Sequence, residues 1–202
     1  KAPEVTYMNK QDIITFFDHY ASSWDDNMIR NESVINTILD NASVRRGCTV
    51  LDVACGTGVL FPDYLGRNVA KVTAVDISPE MARIAAGKYP DQPIQVICGD
   101  VETLTFEHKF DCCMVYNAFP HFPDPEHLIA VLASHLKPGG TLSIAHGMSR
   151  ARINEHHLGS ASKVSIGLLD EQELAGIFAK HLEVTTVISN EEMYQVCGRK
   201  HG

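Results

Sequence analysis

The sequence predicts an α/β fold: a mostly parallel seven-stranded sheet with helices on both faces and an antiparallel last strand. Three observations carry the expectation. Five short runs rich in Val, Ile, Leu or Cys have the length and composition of buried strands, at 49–54, 71–76, 93–98, 110–116 and 141–146. Stretches with helical spacing alternate with them, an order that implies a parallel sheet covered by helices. The last two runs, EVTTVIS (183–189) and EMYQVCGRK (192–200), alternate like a closing antiparallel pair.

In chain order, residues 9–24 and 31–43 read as two helices lying over the edge or mouth of the sheet. The first strand runs into a small-residue turn and the next helix. Ser78 and Pro79 open a helix reaching Tyr89, and a helix from Pro125 to Leu136 is closed by Lys137-Pro138-Gly139-Gly140. Residues 147–169 are polar and carry no strand signal, so a functional loop or a short helix is expected there. Asp170 caps a last helix ending near Lys180. No repeat, low-complexity segment or linker interrupts the chain, and one domain over 1–202 accounts for it.

At 202 residues and 45% hydrophobic, the chain suffices for one substantial core. A net charge of −8 provides no global positive field for a phosphate backbone, so no nucleic-acid partner is expected. The apolar runs are far shorter than the ~20 residues of a bilayer span, and the N-terminal KAPEVTYMNKQD lacks the apolar centre of an export signal. No membrane span and a cytoplasmic location are the expectations. The six cysteines include no C-x-x-C pair and mostly sit in apolar runs, as buried free thiols do. No heptad or single apolar face sets an oligomeric state.

The most informative segment is Val50-Leu51-Asp52-Val53-Ala54-Cys55-Gly56-Thr57-Gly58, a strand ending in a turn whose glycines let a ligand approach the backbone. The dinucleotide fingerprint G-x-G-x-x-G fails, because Phe61 stands at its third glycine. A phosphate-binding P-loop fails as well, because Val59 and Leu60 follow Gly58. What remains is Asp52 before the turn, Asp76 ending the second strand and Asp100 after the third. An acid at the second strand end can accept hydrogen bonds from ribose hydroxyls. Three acids at successive strand ends, with nothing to hold phosphate, suit a ligand carrying adenosine and a positive charge.

With LDVACGTG, AVDIS, GDVE, FDCCMVYNAFPHF and LKPGGTLSIAH in this order over about residues 12–146, the sequence resembles the class I S-adenosylmethionine-dependent methyltransferases, which are Rossmann-like. Phe17 to Asp25 also resembles the cofactor-covering helix of the small-molecule branch that includes quinone-biosynthesis methyltransferases, so 1–45 is expected to cap the site. One departure is Ala54, where the family more often has glycine. The resemblance implies S-adenosylmethionine as cofactor and S-adenosylhomocysteine as product. It implies that Asp52, Ala54 and Gly56 contact the methionine end, Asp76 and Ile77 the ribose and adenine, and Asp100 and Val101 the adenine edge, with Tyr20, Trp24 and Met81 completing the cofactor site. It also places Asn117 and His121, in the segment after the fourth strand, beside the transferable methyl group.

On the acceptor side, Asn117 is a candidate for orienting the cofactor or the acceptor, and His121 and His146 are candidate general bases. A turn in which His121 only packs on Phe122 is the alternative. If Ser149 caps a helix, Arg150, Asn154 and His157 share one face, and His156 points elsewhere. That segment reads as an acceptor-binding lid within 147–169, as a metal site using His with Glu155, or as a plain solvated helix. The lid is the reading adopted, because metal-ligand spacing such as H-E-x-x-H is absent. The expected reaction is in-line methyl transfer to a small-molecule acceptor. The rival is a cofactor-binding regulator or scaffold without turnover, which would not need the polar groups at Asn117, His121, His146 and Arg150.

Overall fold

The strands of the sheet are β1 (Thr49–Val53), β2 (Lys71–Asp76), β3 (Ile94–Cys98), β4 (Phe110–Tyr116), β5 (Leu136–His146), β6 (Glu183–Ser189) and β7 (Tyr194–Arg199). They pair in the order β3-β2-β1-β4-β5-β7-β6 in a computed structural model that describes residues 8–159 and 161–202. Residues 1–7 of the expected cap, most of the stretch read for an export signal, and Ser160 of the expected lid lie outside the described residues. The pairs among β1 to β5 are parallel, and β7 lies antiparallel to both β5 and β6. The chain therefore reverses direction across the sheet between β1 and β4, and the carboxyl ends of β1 to β4 share one edge. Open α/β sheets bind ligands at such a switch point.

The helices are α1 (Lys10–Tyr20), α2 (Glu32–Asn41), α3 (Phe61–Gly66), α4 (Pro79–Lys88), α5 (Pro125–Ser134), α6 (Arg150–His157) and α7 (Glu171–Phe178). Their starts are fixed by side chains that accept otherwise orphaned backbone N–H groups: Asn9 for α1, Asn31 for α2, Ser78 for α4, Asp124 for α5, Ser149 for α6 and Asp170 for α7. Strand periodicity then divides the core. Leu51, Val53, Cys113 and Val115 join α5 and α7 on one face, and Val50, Cys112, Met114 and Tyr116 join α2 and α3 on the other.

Two expectations are corrected. The 9–24 helix ends at Tyr20 and continues as two 3-10 turns, Ala21–Ser23 and Asp25–Asn27. The segment Lys137–Gly140 does not end the preceding helix but lies inside β5, where the register with β4 jumps from Phe110↔Leu136 to Cys112↔Thr141. Of the six cysteines five are buried, and Cys98 is exposed. No described helix is long and apolar enough to cross a membrane.

Candidate active site

The carboxyl edge of β1 to β4 opens into a cleft. The turn after β1 shapes its floor. Ala54, Gly56 and Gly58 all take positive φ, at 53°, 57° and 89°. A side chain at Gly58 would come within 2.5 Å of Phe61, whereas one at Gly56 would meet no atom within 4 Å. Gly56 lines the cleft, so the space kept free by its missing Cβ is ligand space. Ala54 holds the left-handed conformation at a cost of about 1–2 kcal/mol.

Asp76, at the end of β2, locks this turn. One carboxylate oxygen accepts from Gly56 N at 2.8 Å and the other from Ser78 N at 2.9 Å. Burial nonetheless raises its pKa, against the pull of those two N–H groups. Each oxygen keeps a second lone pair. Asp100, after β3, receives Lys10 Nζ at 2.5 Å, and the same ammonium reaches Glu102 at 2.9 Å. Burial works against the Lys10 charge, but the two carboxylates outweigh it and raise its pKa. Asp18 accepts from Ser78 Oγ at 2.5 Å and from Glu80 N at 3.2 Å. Asp25 pairs with Thr57 Oγ1 at 2.5 Å and Lys88 at 2.6 Å. These three ties hold α1 and the turns after it across the cleft, where Ile13, Phe17, Trp24, Met28 and Ile29 become its roof. Ile29 is 90% exposed and Trp24 38%.

After β4, Asn117 has φ +53°. Its backbone N–H donates to Ala145 O and its side-chain oxygen accepts from Gly147 N at 3.0 Å, which leaves the amide N–H₂ to donate. His121 sits in the 3-10 turn Phe119–His121. Its ring meets Phe17 edge-on at 4.9 Å and His157 at 5.4 Å. Its Nδ1 lies 2.7 Å from the Val164 carbonyl. A carbonyl only accepts, so Nδ1 carries the hydrogen and the lone pair belongs to Nε2. Burial pushes its pKa down to about 4, with the Val164 carbonyl opposing and His157 adding. His121 is therefore neutral at pH 7.

Of the residues proposed from sequence, Trp24, Ala54, Gly56, Asp76, Ile77, Met81, Asp100, Val101, Asn117 and His121 line this one cleft. Others are placed elsewhere. Asp52 is sunk in β1 between Ala74 and Met114, 2% exposed, and burial lifts its pKa to about 8. Tyr20 stands outside the lining against Phe16 and His19. His146 is 3% exposed behind the cleft, where burial first, then His157 and His121, push it down to about 3. Arg150, Asn154 and His157 do lie on α6, but outside the lining. Arg150 Nε donates to Leu168 O at 3.0 Å, and Asn154 Oδ1 accepts from Leu168 N at 2.8 Å. The expected lid instead packs behind the loop after β4, where Ile166 N reaches Pro120 O at 2.7 Å. Among the described residues no cluster of three or more His, Cys, Asp or Glu is arranged to hold a metal ion.

Sequence reasoning missed Lys10 and Ile29 in the lining and gave no individual role to Tyr116 or Phe122, which belong to the FDCCMVYNAFPHF motif. Only Tyr116 and Phe122 carried a signal, as members of that motif.

The fold is shared with solved S-adenosylmethionine-dependent methyltransferases, and the sequence is similar to proteins named as methyltransferases. The family model that matches, described as a methyltransferase domain, covers residues 51–144, from β1 into β5. The chain is 27% identical over 195 residues to a malonyl-[acyl-carrier protein] O-methyltransferase of Priestia megaterium, a match spanning 94% of this chain and 68% of that protein. It is 39% identical over 103 residues to a ubiquinone biosynthesis O-methyltransferase of Xanthomonas campestris pv. campestris, 49% of this chain and 43% of that protein. It thus spans less than half the length of that relative. Among solved structures, the N-methyltransferase NodS of Bradyrhizobium japonicum with S-adenosyl-L-homocysteine has a TM-score of 0.68 at 16% identity, covering 96% and 98% of the two chains. The DhpI complex with S-adenosylhomocysteine has a TM-score of 0.69 at 17% identity, covering 95% and 97%.

Proposed function

We propose that this chain, acting as one domain in the cytoplasm, transfers a methyl group from S-adenosylmethionine to a small-molecule acceptor. The supporting observation is that one cleft has two chemically distinct walls. On the β1–β3 side stand the Gly56 opening and the acids Asp76 and Asp100; on the β4 side stand Tyr116, Asn117 and a neutral His121. The first wall fits the cofactor: the missing Cβ at Gly56 leaves room, and the spare lone pairs of Asp76 accept from hydroxyl donors. When bound, S-adenosylmethionine supplies a methyl group on a sulfonium, transferred by in-line displacement without a protein nucleophile.

The chain's own work is alignment, exclusion of water and proton removal. Phe17, Trp24 and Ile13 roof the cleft and keep water from the reacting atoms. Nε2 of His121 takes the proton of a hydroxyl or amine acceptor. Its low pKa makes it a weak base, but an oxygen gaining a methyl group becomes strongly acidic, so the transfer runs downhill late in the reaction. The apolar body of the acceptor rests on Trp24, Ile29 and Phe122. An overall charge of −8 disfavours a nucleic acid in that place.

Transfer of labelled methyl from S-adenosylmethionine to a panel of phenols, quinols, amines and thiols tests the proposal. His121→Ala is expected to leave S-adenosylhomocysteine affinity within about twofold while turnover falls by about 10²-fold. Equal loss of both would make His121 a structural residue, and no transfer to any acceptor class would overturn the function.

A further inference from the structure

We propose that Asn154 is a positioning residue that acts through the 164–168 segment, holding the Val164 carbonyl on Nδ1 of His121 and so fixing which imidazole nitrogen keeps its lone pair. The inference rests on the reading of His121 as the proton acceptor and adds the device that sets its tautomer.

Residues 161–170 form neither helix nor strand, so no backbone ladder fixes where their carbonyls point. Their position is set by two buried side chains and a few bonds. Val164 and Leu168 are 3% and 2% exposed. Ile166 N donates to Pro120 O at 2.7 Å, which ties the segment to the turn that carries His121. At its far end, Leu168 gives its N–H to Asn154 Oδ1 at 2.8 Å and receives Arg150 Nε on its carbonyl at 3.0 Å. Both partners project from α6, whose start is held by the Ser149 cap. A Cβ on Gly167 would sit 3.7 Å from Asn154 Oδ1, so the segment passes at van der Waals distance from the amide. Two residues before the Ile166 anchor stands the Val164 carbonyl, 2.7 Å from His121 Nδ1.

The consequence is chemical. A neutral imidazole in water exchanges between two tautomers, and only one of them leaves Nε2 free to accept a proton. A fixed carbonyl on Nδ1 selects that one. Among the described residues no other group hydrogen-bonds the His121 ring. Phe17 of α1 is apolar, His157 of α6 meets it ring to ring at 5.4 Å, and His146 of β5 is buried and neutral. No carboxylate contributes to the shift of His121. Asn154 stands 33 positions along the chain from His121 and touches neither the cleft nor the ring, yet the carbonyl's place depends on it.

Long-range ¹H–¹⁵N correlation spectra of the ¹⁵N-labelled full chain between pH 5 and 8 read the tautomer without needing an acceptor, with His121→Gln supplying the assignment. The wild type is expected to hold the Nδ1–H form throughout. Asn154→Leu is expected to give mixed tautomers, because the carbonyl that holds the hydrogen on Nδ1 is no longer fixed. Asn154→Asp, which keeps an acceptor oxygen, should restore the wild-type spectrum. Arg150→Met, which loses the second anchor of Leu168, should move the spectrum in the same direction by less and serves if Asn154→Leu does not fold. An unchanged tautomer in the folded Asn154→Leu protein, or in Arg150→Met if that is the folded variant, overturns the proposal. An Nε2–H form in the wild type overturns it as well. The parent reading fails separately: a tautomer that shifts in Asn154→Leu while methyl transfer persists at the wild-type rate would retain the positioning role and dismiss His121 as the base.

Discussion

Replacing Asp52 with Asn removes one titrating group and almost no volume, which isolates the electrostatics of a carboxyl sealed in β1. The side chain is 2% exposed, and burial raises its pKa to about 8, with the charge of Asp76 adding and Tyr64 opposing. In the unfolded chain the same group titrates near 3.9. Between those values the unfolded state releases a proton that the folded state keeps. Folding stability in that window therefore falls as pH rises, by about 1.4 kcal/mol per pH unit. From pH 5 to pH 7 the wild type loses about 2.5 kcal/mol through this group, and the Asn variant loses none of it. Urea titrations of both proteins at pH 5, 6 and 7 give the difference directly, with other titrating groups cancelling in the subtraction. The variant should gain steadily on the wild type as pH rises. A difference independent of pH would mean that Asp52 is ionised in the fold and that its burial is relieved by water.

Gly56→Val should abolish measurable S-adenosylhomocysteine binding, because φ of 57° is strained for valine and its side chain enters the cleft; the cost to folding should be about 1–2 kcal/mol, read by thermal melting and calorimetry. Lys10→Ala should lower stability by under about 1 kcal/mol in urea titration, since the Lys10 side chain is 44% exposed and its ion pairs are screened. Ile29→Ser should change stability by less than about 0.5 kcal/mol, because the residue is 90% exposed, yet raise KM for an apolar acceptor about fivefold with cofactor affinity unchanged.

The strands with the clearest boundaries in the sequence were β2, β4 and β6, where apolar or alternating runs end against charged or turn residues; the structure places all three at the bounds expected. The start of β5 was illegible because Pro138-Gly139-Gly140 has the composition of a breaker. Its place inside a strand depends on pairing across a register jump and on two backbone bonds, one from Gly139 N–H to Lys200 O and one from Lys200 N–H to Gly140 O. In the site, the strand-end acids were legible as a set, but their sorting was not. Asp52 sits in a strand covered on both faces, so no alternation marks which side chains reach the edge. The Lys10–Asp100 tie joins residues 90 apart, and no local pattern announces it. The shared α6 side of Arg150 and Asn154 was readable from spacing, whereas what that side meets, an irregular stretch more than ten residues downstream, was not.

The most direct test is calorimetric titration of the purified chain with S-adenosylmethionine, S-adenosylhomocysteine and, separately, NAD. Micromolar binding of the two sulfur nucleosides with silence from NAD is the expected result, because the turn at Ala54–Gly58 offers an open Gly56 and no third glycine for a pyrophosphate. Binding of NAD, or of neither sulfur nucleoside, would contradict the assignment of the cleft.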